Sequence, residues 1–467
     1  MKNLNILTCL AFFFAIFITS SQSKAEQTQP MSGFVKSDLN WFLNITAKYW
    51  SHQRKSQVPE LKLAPPTMLA GLLCFISASI SSAGGIGGGG LFIPILTIVA
   101  GLDLKIATCF SAFMVTGGSI ANVMCNLLSP KFGGKALINY DIALLSEPCM
   151  LLGVSVGVIC NLVFPEWLIT ILFVVFLVWS TIKTCKNGVL YWRLESEEVK
   201  RNGYHILENG LVKDDESQAM KSSKEPLLDM EMPDKKCFPW QKFGVLLLIW
   251  FSFSLLYLLR GNRNGKGITP VKPCGLGYWV LSSLQVPLAI IFTAWILFRK
   301  QKCQIQTTNQ QNSVKDIEDS AGGRMPNKFL FPIMALLAGV LGGGFGIGGG
   351  MLISPLLLHV GIPPEVTAAT CSFMVFFSST MSSFQYLLSG MEHTDTALIF
   401  AVICFVASLL GLLVVQRTIQ EYGRASIIVF SVGIVMALST VLITSFGAMD
   451  VLRDYTSGRH MGFKFPC

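Results

Sequence analysis

The chain has 467 residues, of which 52% are hydrophobic and only 13% charged, and 36 Lys and Arg against 27 Asp and Glu leave a net charge of +9. A soluble chain carries about 25% charged residues; here charge is crowded into a few segments between long apolar runs, which excludes a soluble globular protein and predicts an all-α polytopic membrane protein. The basic residues flank the apolar runs and are not interleaved with aromatics, so they point to the lipid bilayer and not to nucleic acid.

In chain order, Lys2 and the apolar stretch Ile6 to Thr19, followed by Ser23-Lys24-Ala25, have the form of a signal peptide over 1–25. The polar segment 26–65 is then expected on the lumenal or extracellular side, where Asn44 heads a glycosylation sequon, Asn44-Ile45-Thr46. That predicts a multi-pass protein of the secretory pathway, in the plasma membrane or an endomembrane.

Apolar stretches follow at 66–100, 104–127, 138–163 and 166–184, then 243–260 and 277–298, then 329–360, 364–389, 395–416 and 425–446. They group as a first transmembrane repeat over 66–184, linking helices over 242–298, a second repeat over 329–446 and a tail over 447–467. Charge-rich segments at 185–241 and 299–328 read as solvated cytoplasmic loops with little capacity to form a core.

The grouping rests on a repeat. Gly85-Ile86-Gly87-Gly88-Gly89, then Leu91 and Pro94, match Gly346-Ile347-Gly348-Gly349-Gly350, then Leu352 and Pro355. Phe113-Met114-Val115 matches Phe373-Met374-Val375; Asp141 answers Asp395, and Gly157 answers Gly411. Ordered glycines, prolines and an aspartate recurring in this way indicate internal duplication.

Glycine weakens a helix by roughly 1 kcal/mol relative to alanine, so each glycine cluster marks a place where a helix stops. The arms Met68 to Ser82 and Leu91 to Ala100 are ~22 Å and ~15 Å long at the helical rise. Together they exceed one crossing of a ~30 Å core and fall short of two. A re-entrant, glycine-broken helix fits, and irregular backbone at that depth must be buried in protein or line a cavity.

With no net crossing at 66–100 and the N-terminus outside, both charged loops fall inside, which accords with the positive-inside rule. Two places resist it: 261–273, with Arg263, Lys266 and Lys272, and the tail, with Arg453, Arg459 and Lys464. Five net crossings then separate the two glycine blocks. The repeats are therefore expected to be inverted, as in secondary transporters with a midplane substrate site at broken helix ends.

A half-helix starting near Gly89 or Gly90 offers unpaired N–H groups and a partial positive charge to an anion, glycine lets the ligand approach, and two inverted copies would aim two such ends at one site. Close helix packing through small residues is the competing reading. The candidate substrate-binding residues are Gly85, Gly87, Gly88 and Gly89, Gly346, Gly348, Gly349 and Gly350, with the hydroxyls of Thr108, Ser111, Thr370 and Ser372. Such hydroxyls also commonly bond back to their own helix. Glu147, inside the third apolar block, is the candidate for proton coupling.

Thirteen scattered cysteines, without a C-x-x-C pair, imply packing residues and not a metal site, and no motif asks for a cofactor. No catalytic constellation stands out, so an enzyme is not expected. Nothing in the sequence fixes the oligomeric state, and a homo-oligomer is compatible with it.

The paired glycine motifs with their Leu-x-x-Pro, followed by "ATCFSAFMV" and "AATCSFMV", resemble the TauE/SafE-like sulfite exporter family, also described as 4-toluene sulfonate uptake permease-like. The signal peptide and long central charged segment are similar to plant members. The resemblance implies a transporter exporting a small anion, sulfite or an organosulfonate, and carries over Gly85 to Gly89 and Gly346 to Gly350 as motif positions. A membrane scaffold or receptor recruiting partners through the 185–241 loop is the alternative from another class.

Overall fold

A computed structural model describes residues 65–128, 137–209, 240–260, 276–311, 330–391, 393–422 and 426–456. The signal-peptide stretch, Asn44, and the "KDDESQAMKSSKEP" part of the central segment lie outside the described residues.

Every described regular element is a helix. The first half comprises α1 (Pro65–Ser82), α2 (Gly89–Ile98), α3 (Leu104–Leu128), α4 (Tyr140–Val163) and α5 (Glu166–Asn209). The linking helices are α6 (Trp240–Arg260), α7 (Leu276–Ser283) and α8 (Gln285–Gln311), the last two interrupted only at Leu284. The second half comprises α9 (Leu330–Phe345), α10 (Gly350–His359), α11 (Pro364–Leu388), α12 (Thr394–Tyr422) and α13 (Ser426–Thr456). Eight helical spans are long and apolar enough to cross a membrane, with α7 and α8 acting as one. Large apolar side chains on their outer faces, such as Met68 and Leu72 on α1, Val175 on α5 and Ile434 on α13, are exposed, as a lipid-facing surface requires.

Local chemistry sets several boundaries. The Asn139 side chain caps α4 by accepting from the N–H of Asp141 and of Ile142, both at 3.2 Å. Pro364 sits in the first turn of α11, where its missing N–H costs nothing. Asp141 lies in the first turn of α4 and pairs with Lys242 at 2.7 Å at the exposed start of α6.

The centre is the pair α3 and α11. Helix α11 is less apolar than the eight spans, because it carries Ser378, Ser379, Thr380, Ser382 and Ser383, all buried. Most of those hydroxyls are satisfied internally. Thr380 bonds back to the carbonyl of Phe376 at 2.7 Å, and Ser383 pairs with Thr116 of α3 at 2.9 Å. A buried hydroxyl so paired is tolerated in an interior that an unpaired one would destabilise by about 1–3 kcal/mol.

The two halves interlock. Helix α4 packs most extensively on α9 of the other half, and α12 packs on α1 and α3. Small residues permit this approach: a Cβ at Gly157 would lie 2.1 Å from the Val340 carbonyl, and one at Gly411 would lie 2.0 Å from the Ser79 carbonyl. Gly157 and Gly411 are repeat-equivalent, so the same contact is made twice, each time across the halves.

The 185–241 segment differs from expectation. Helix α5 continues without a break to Asn209, and α8 likewise reaches Gln311, so neither charged segment begins as a loop. The continuation is held by side chains four residues apart. Asn187 donates to the Pro355 carbonyl, Tyr191 to those of Leu358 and Ile362, and Glu195 accepts from the N–H and hydroxyl of Ser426 at the start of α13.

Candidate functional site: the paired glycine turns

Both glycine clusters break a helix. Between α1 and α2 the chain turns through Ala83 to Gly88, with Gly85, Gly87 and Gly88 at φ of +70°, +77° and +81°. Between α9 and α10, Gly346, Gly348 and Gly349 adopt +64°, +72° and +71°. This left-handed region costs an L-residue with a Cβ roughly 1–2 kcal/mol, so three glycines per turn are a backbone requirement. The second turn folds the chain back on itself: a Cβ at Gly349 would lie 2.7 Å from the Ala338 carbonyl on α9.

The turns meet each other. A Cβ on Gly89 would fall 2.6 Å from the Cα of Ile347, and one on Gly350 3.4 Å from the Cα of Ile86. Gly87 and Gly348 both press on Val115 of α3 and Val375 of α11. Each turn also docks on the other half's central helix. Gly85 faces the Ala368 carbonyl and the Ser372 hydroxyl, and Gly346 faces the Thr108 carbonyl.

The Leu-x-x-Pro part of the motif has a clear role. Pro94 and Pro355 lie inside α2 and α10, and proline has no N–H to give the carbonyl four residues earlier. Those carbonyls belong to Gly90 and Met351. Each is taken instead by a hydroxyl from the opposite half, Ser439 of α13 for Gly90 and Ser180 of α5 (3.0 Å) for Met351.

The carbonyls freed where α1 and α9 end are also satisfied. Asn122 donates to the Ser82 carbonyl at 3.2 Å, Asn161 to that of Gly344 at 2.7 Å and Tyr386 to that of Gly343 at 2.7 Å. Ser111 donates to the Gly346 carbonyl at 2.8 Å, and Ser378 to that of Gly348 at 2.7 Å. The N–H groups are treated differently. Among the described residues, those of Gly87 to Gly90 and of Gly348 to Gly350 make no bond to a backbone carbonyl. Both turns therefore hold N–H donors without a backbone partner, which an anion requires, and in the second turn the carbonyls of Gly346 and Gly348 are also satisfied.

The predicted hydroxyls divide between two places. Ser111 and Ser372 stand at the turns, Ser111 committed to Gly346 and Ser372 also bonding its own helix at the Ala368 carbonyl, 2.9 Å. Thr108 bonds the Lys105 carbonyl at 2.8 Å and accepts from Asn161. Thr370 accepts the N–H of Asn139, at the start of α4 and not at a turn. Sequence reading missed Asn122, Asn161, Ser180, Tyr386 and Ser439, which serve the turns from other helices.

Glu147 is fully buried within α4, beside Pro148, and neither carboxyl oxygen has a hydrogen-bond partner. The repeat-equivalent position in α12, by the Asp141–Asp395 register, is Ala401, whose carbonyl would lie 2.1 Å from a Cβ at Gly117. The carboxyl thus belongs to one half only. Among the described residues, no group of His, Cys, Asp and Glu is arranged to hold a metal ion.

Comparison with known proteins fits this architecture. The sequence profile of the family described as Sulfite exporter TauE/SafE matches residues 5–184 and 274–448, the two halves with the second linking span. Its match begins inside the stretch expected as a signal peptide and skips 185–273. "Sulfite exporter TauE/SafE family protein 2" of Arabidopsis thaliana is 63% identical over 97% of this chain and 98% of its own length. "Sulfite exporter TauE/SafE family protein 5" of the same plant is 60% identical over 89% of this chain and 90% of its own. The "Probable membrane transporter protein YunE" of Bacillus subtilis is 30% identical over 22% of this chain and 38% of its own. No solved structure matches the chain. With both halves matched and relatives similar over nearly their whole length, the chain belongs to the Sulfite exporter TauE/SafE family.

Proposed function

We propose that the protein is a secondary transporter of a small anion, sulfite or an organosulfonate, which moves by alternating access between the two interlocked halves. The observation that carries this reading is the meeting of two glycine turns with spare N–H donors between α3 and α11. Two helix starts, α2 and α10, bring their partial positive charges to one region. The valines Val115 and Val375 fill the space between the turns here, so the reading takes this conformation as occluded.

The inverted arrangement belongs to the same proposal. Between the two broken pairs lie α3, α4, α5, α6 and the α7–α8 span, an odd number of crossings if each pair returns to its own side. An odd number turns one copy upside down relative to the other.

Glu147 is the proposed site of proton coupling. A buried, unpaired carboxylate is costly, and in this conformation neither carboxyl oxygen has a partner. Deprotonation would accompany a conformation in which the carboxyl reaches water or a donor.

The scaffold alternative is tested by deletion. A variant lacking 210–239, reconstituted in proteoliposomes, is expected to keep anion flux. Flux that disappears while the deleted protein stays folded would move the function to that segment.

A further inference from the structure

At the end of α6, Arg260 is buried, only 4% exposed, and its guanidinium is held in an unusual setting. Its Cζ stands 4.6 Å from the ring centroid of Tyr257, one turn earlier on α6, and 4.6 Å from that of Tyr278 on α7. Among the described residues its one hydrogen bond is a long one, from Nη1 to the Ser282 hydroxyl at 3.4 Å, and its Nε has no partner. No carboxylate among the described residues pairs with it.

A guanidinium offers five in-plane N–H donors in a fixed fork. Two tyrosine rings lie against the guanidinium carbon, and its N–H edge is where a planar fork binds two oxygens of one anion. Burying a cation without a counter-charge is unfavourable. An arginine that merely snorkels to the bilayer surface would be exposed, and this one is enclosed by protein. Ser282 takes one donor and the Nε donor has no partner, so part of the fork is left for a ligand.

We propose that Arg260, set by Tyr257, Tyr278 and Ser282, is a second anion site, which binds a small oxyanion, sulfite or a sulfonate, through the edge of its guanidinium. The site is separate from the glycine turns, lying between the linking helices and the end of α11, where the Tyr257 hydroxyl meets the Ser389 hydroxyl at 3.3 Å. In the topology inferred above this end of α6 faces the side of the N-terminus. The sequence just beyond it is one of the two exceptions to the positive-inside rule, and an anion-collecting role gives a reason for charge on that side. The inference deepens the anion-transporter reading and rests on it for the identity of the ligand.

The test is equilibrium binding of sodium sulfite to the full-length, detergent-solubilised protein, wild type against Arg260→Gln and Arg260→Lys, with monodispersity and melting as fold controls. The expected result is loss of one of two sulfite-binding events, or its weakening at least tenfold, in Arg260→Gln, with Arg260→Lys between it and wild type because charge remains and the fork is lost. Unchanged affinity and stoichiometry in folded Arg260→Gln overturn the proposal. So does unchanged sulfite affinity together with loss of a co-purifying anionic phospholipid, which would make Arg260 a lipid-phosphate contact. If Arg260→Gln does not fold, Arg260→Lys decides by the same criterion. Binding is read without flux, so a protein that binds sulfite through Arg260 and transports no anion contradicts the transporter reading and leaves this site standing.

Discussion

Gly87 and Gly348, one from each half of the chain, stand over the same two side chains. A Cβ at Gly87 would lie 2.9 Å from Val115 and 3.5 Å from Val375, and one at Gly348 would lie 2.8 Å from Val375 and 3.0 Å from Val115. Each turn thus reads both central helices, and neither turn can move without pressing on the other's support. In a bilayer, where apolar side chains gain little by leaving lipid, such close contact between small residues supplies much of the attraction between helices.

The glycines of the turns should be far less replaceable than glycines that share only their backbone angle. Gly101 and Gly361 have φ of +70° and +90°, and a methyl added at either would meet nothing within 4 Å. Alanine there should cost roughly 1–2 kcal/mol, the left-handed backbone term alone. At Gly85 and Gly346 the same methyl would sit 2.0 Å from a backbone carbonyl. Overpacking adds about 1–3 kcal/mol, so Gly85→Ala and Gly346→Ala should melt well below Gly101→Ala and Gly361→Ala in one detergent. Equal melting of all four would remove the close-contact argument.

The helical continuation of α5 into the central segment has its own test. Glu195→Ala deletes the acceptor for both the N–H and the hydroxyl of Ser426, and Asn187→Ala deletes a donor to the Pro355 carbonyl. Each should lower stability by about 1–3 kcal/mol, and hydrogen exchange should find 185–197 protected. Rapid exchange there, with neutral variants, would return the segment to a loop.

Glu147→Gln keeps the shape of the buried side chain and removes its titration. The variant should fold with unchanged or higher melting temperature, because no ion pair is lost. It should also lose the pH dependence of flux while still binding sulfite. Flux that retains the wild-type pH profile would assign Glu147 a structural part only.

Topology is checked by cysteine-accessibility labelling in a cysteine-depleted background. Positions in 210–239 and 312–328 should label from the cytosolic side and 390–394 from the opposite one. Labelling of 210–239 and 390–394 from the same side would contradict the inverted count.

The glycine turns are legible in the sequence because their signal is local: only glycine adopts three left-handed angles in four residues cheaply. The prolines are legible as motif positions, yet their partners are not. That Gly90 and Met351 are satisfied by Ser439 and Ser180 depends on which helices meet, and a serine in an apolar run carries no record of that. Asn122 and Asn161 escape notice for the same reason. The continuation of α5 is hidden because charge density reads as solvation, although Asn187, Tyr191 and Glu195 recur every fourth residue on one face.

Anion flux into proteoliposomes tests the central claim most directly, with sulfite, sulfate, small organosulfonates and chloride offered to the purified full-length protein. The account predicts saturable uptake of sulfite or a sulfonate above protein-free liposomes, abolished in a folded Gly85→Ala or Gly346→Ala variant, with chloride a poor competitor. Uptake of every anion at the protein-free rate, by protein that is folded and inserted, would contradict it.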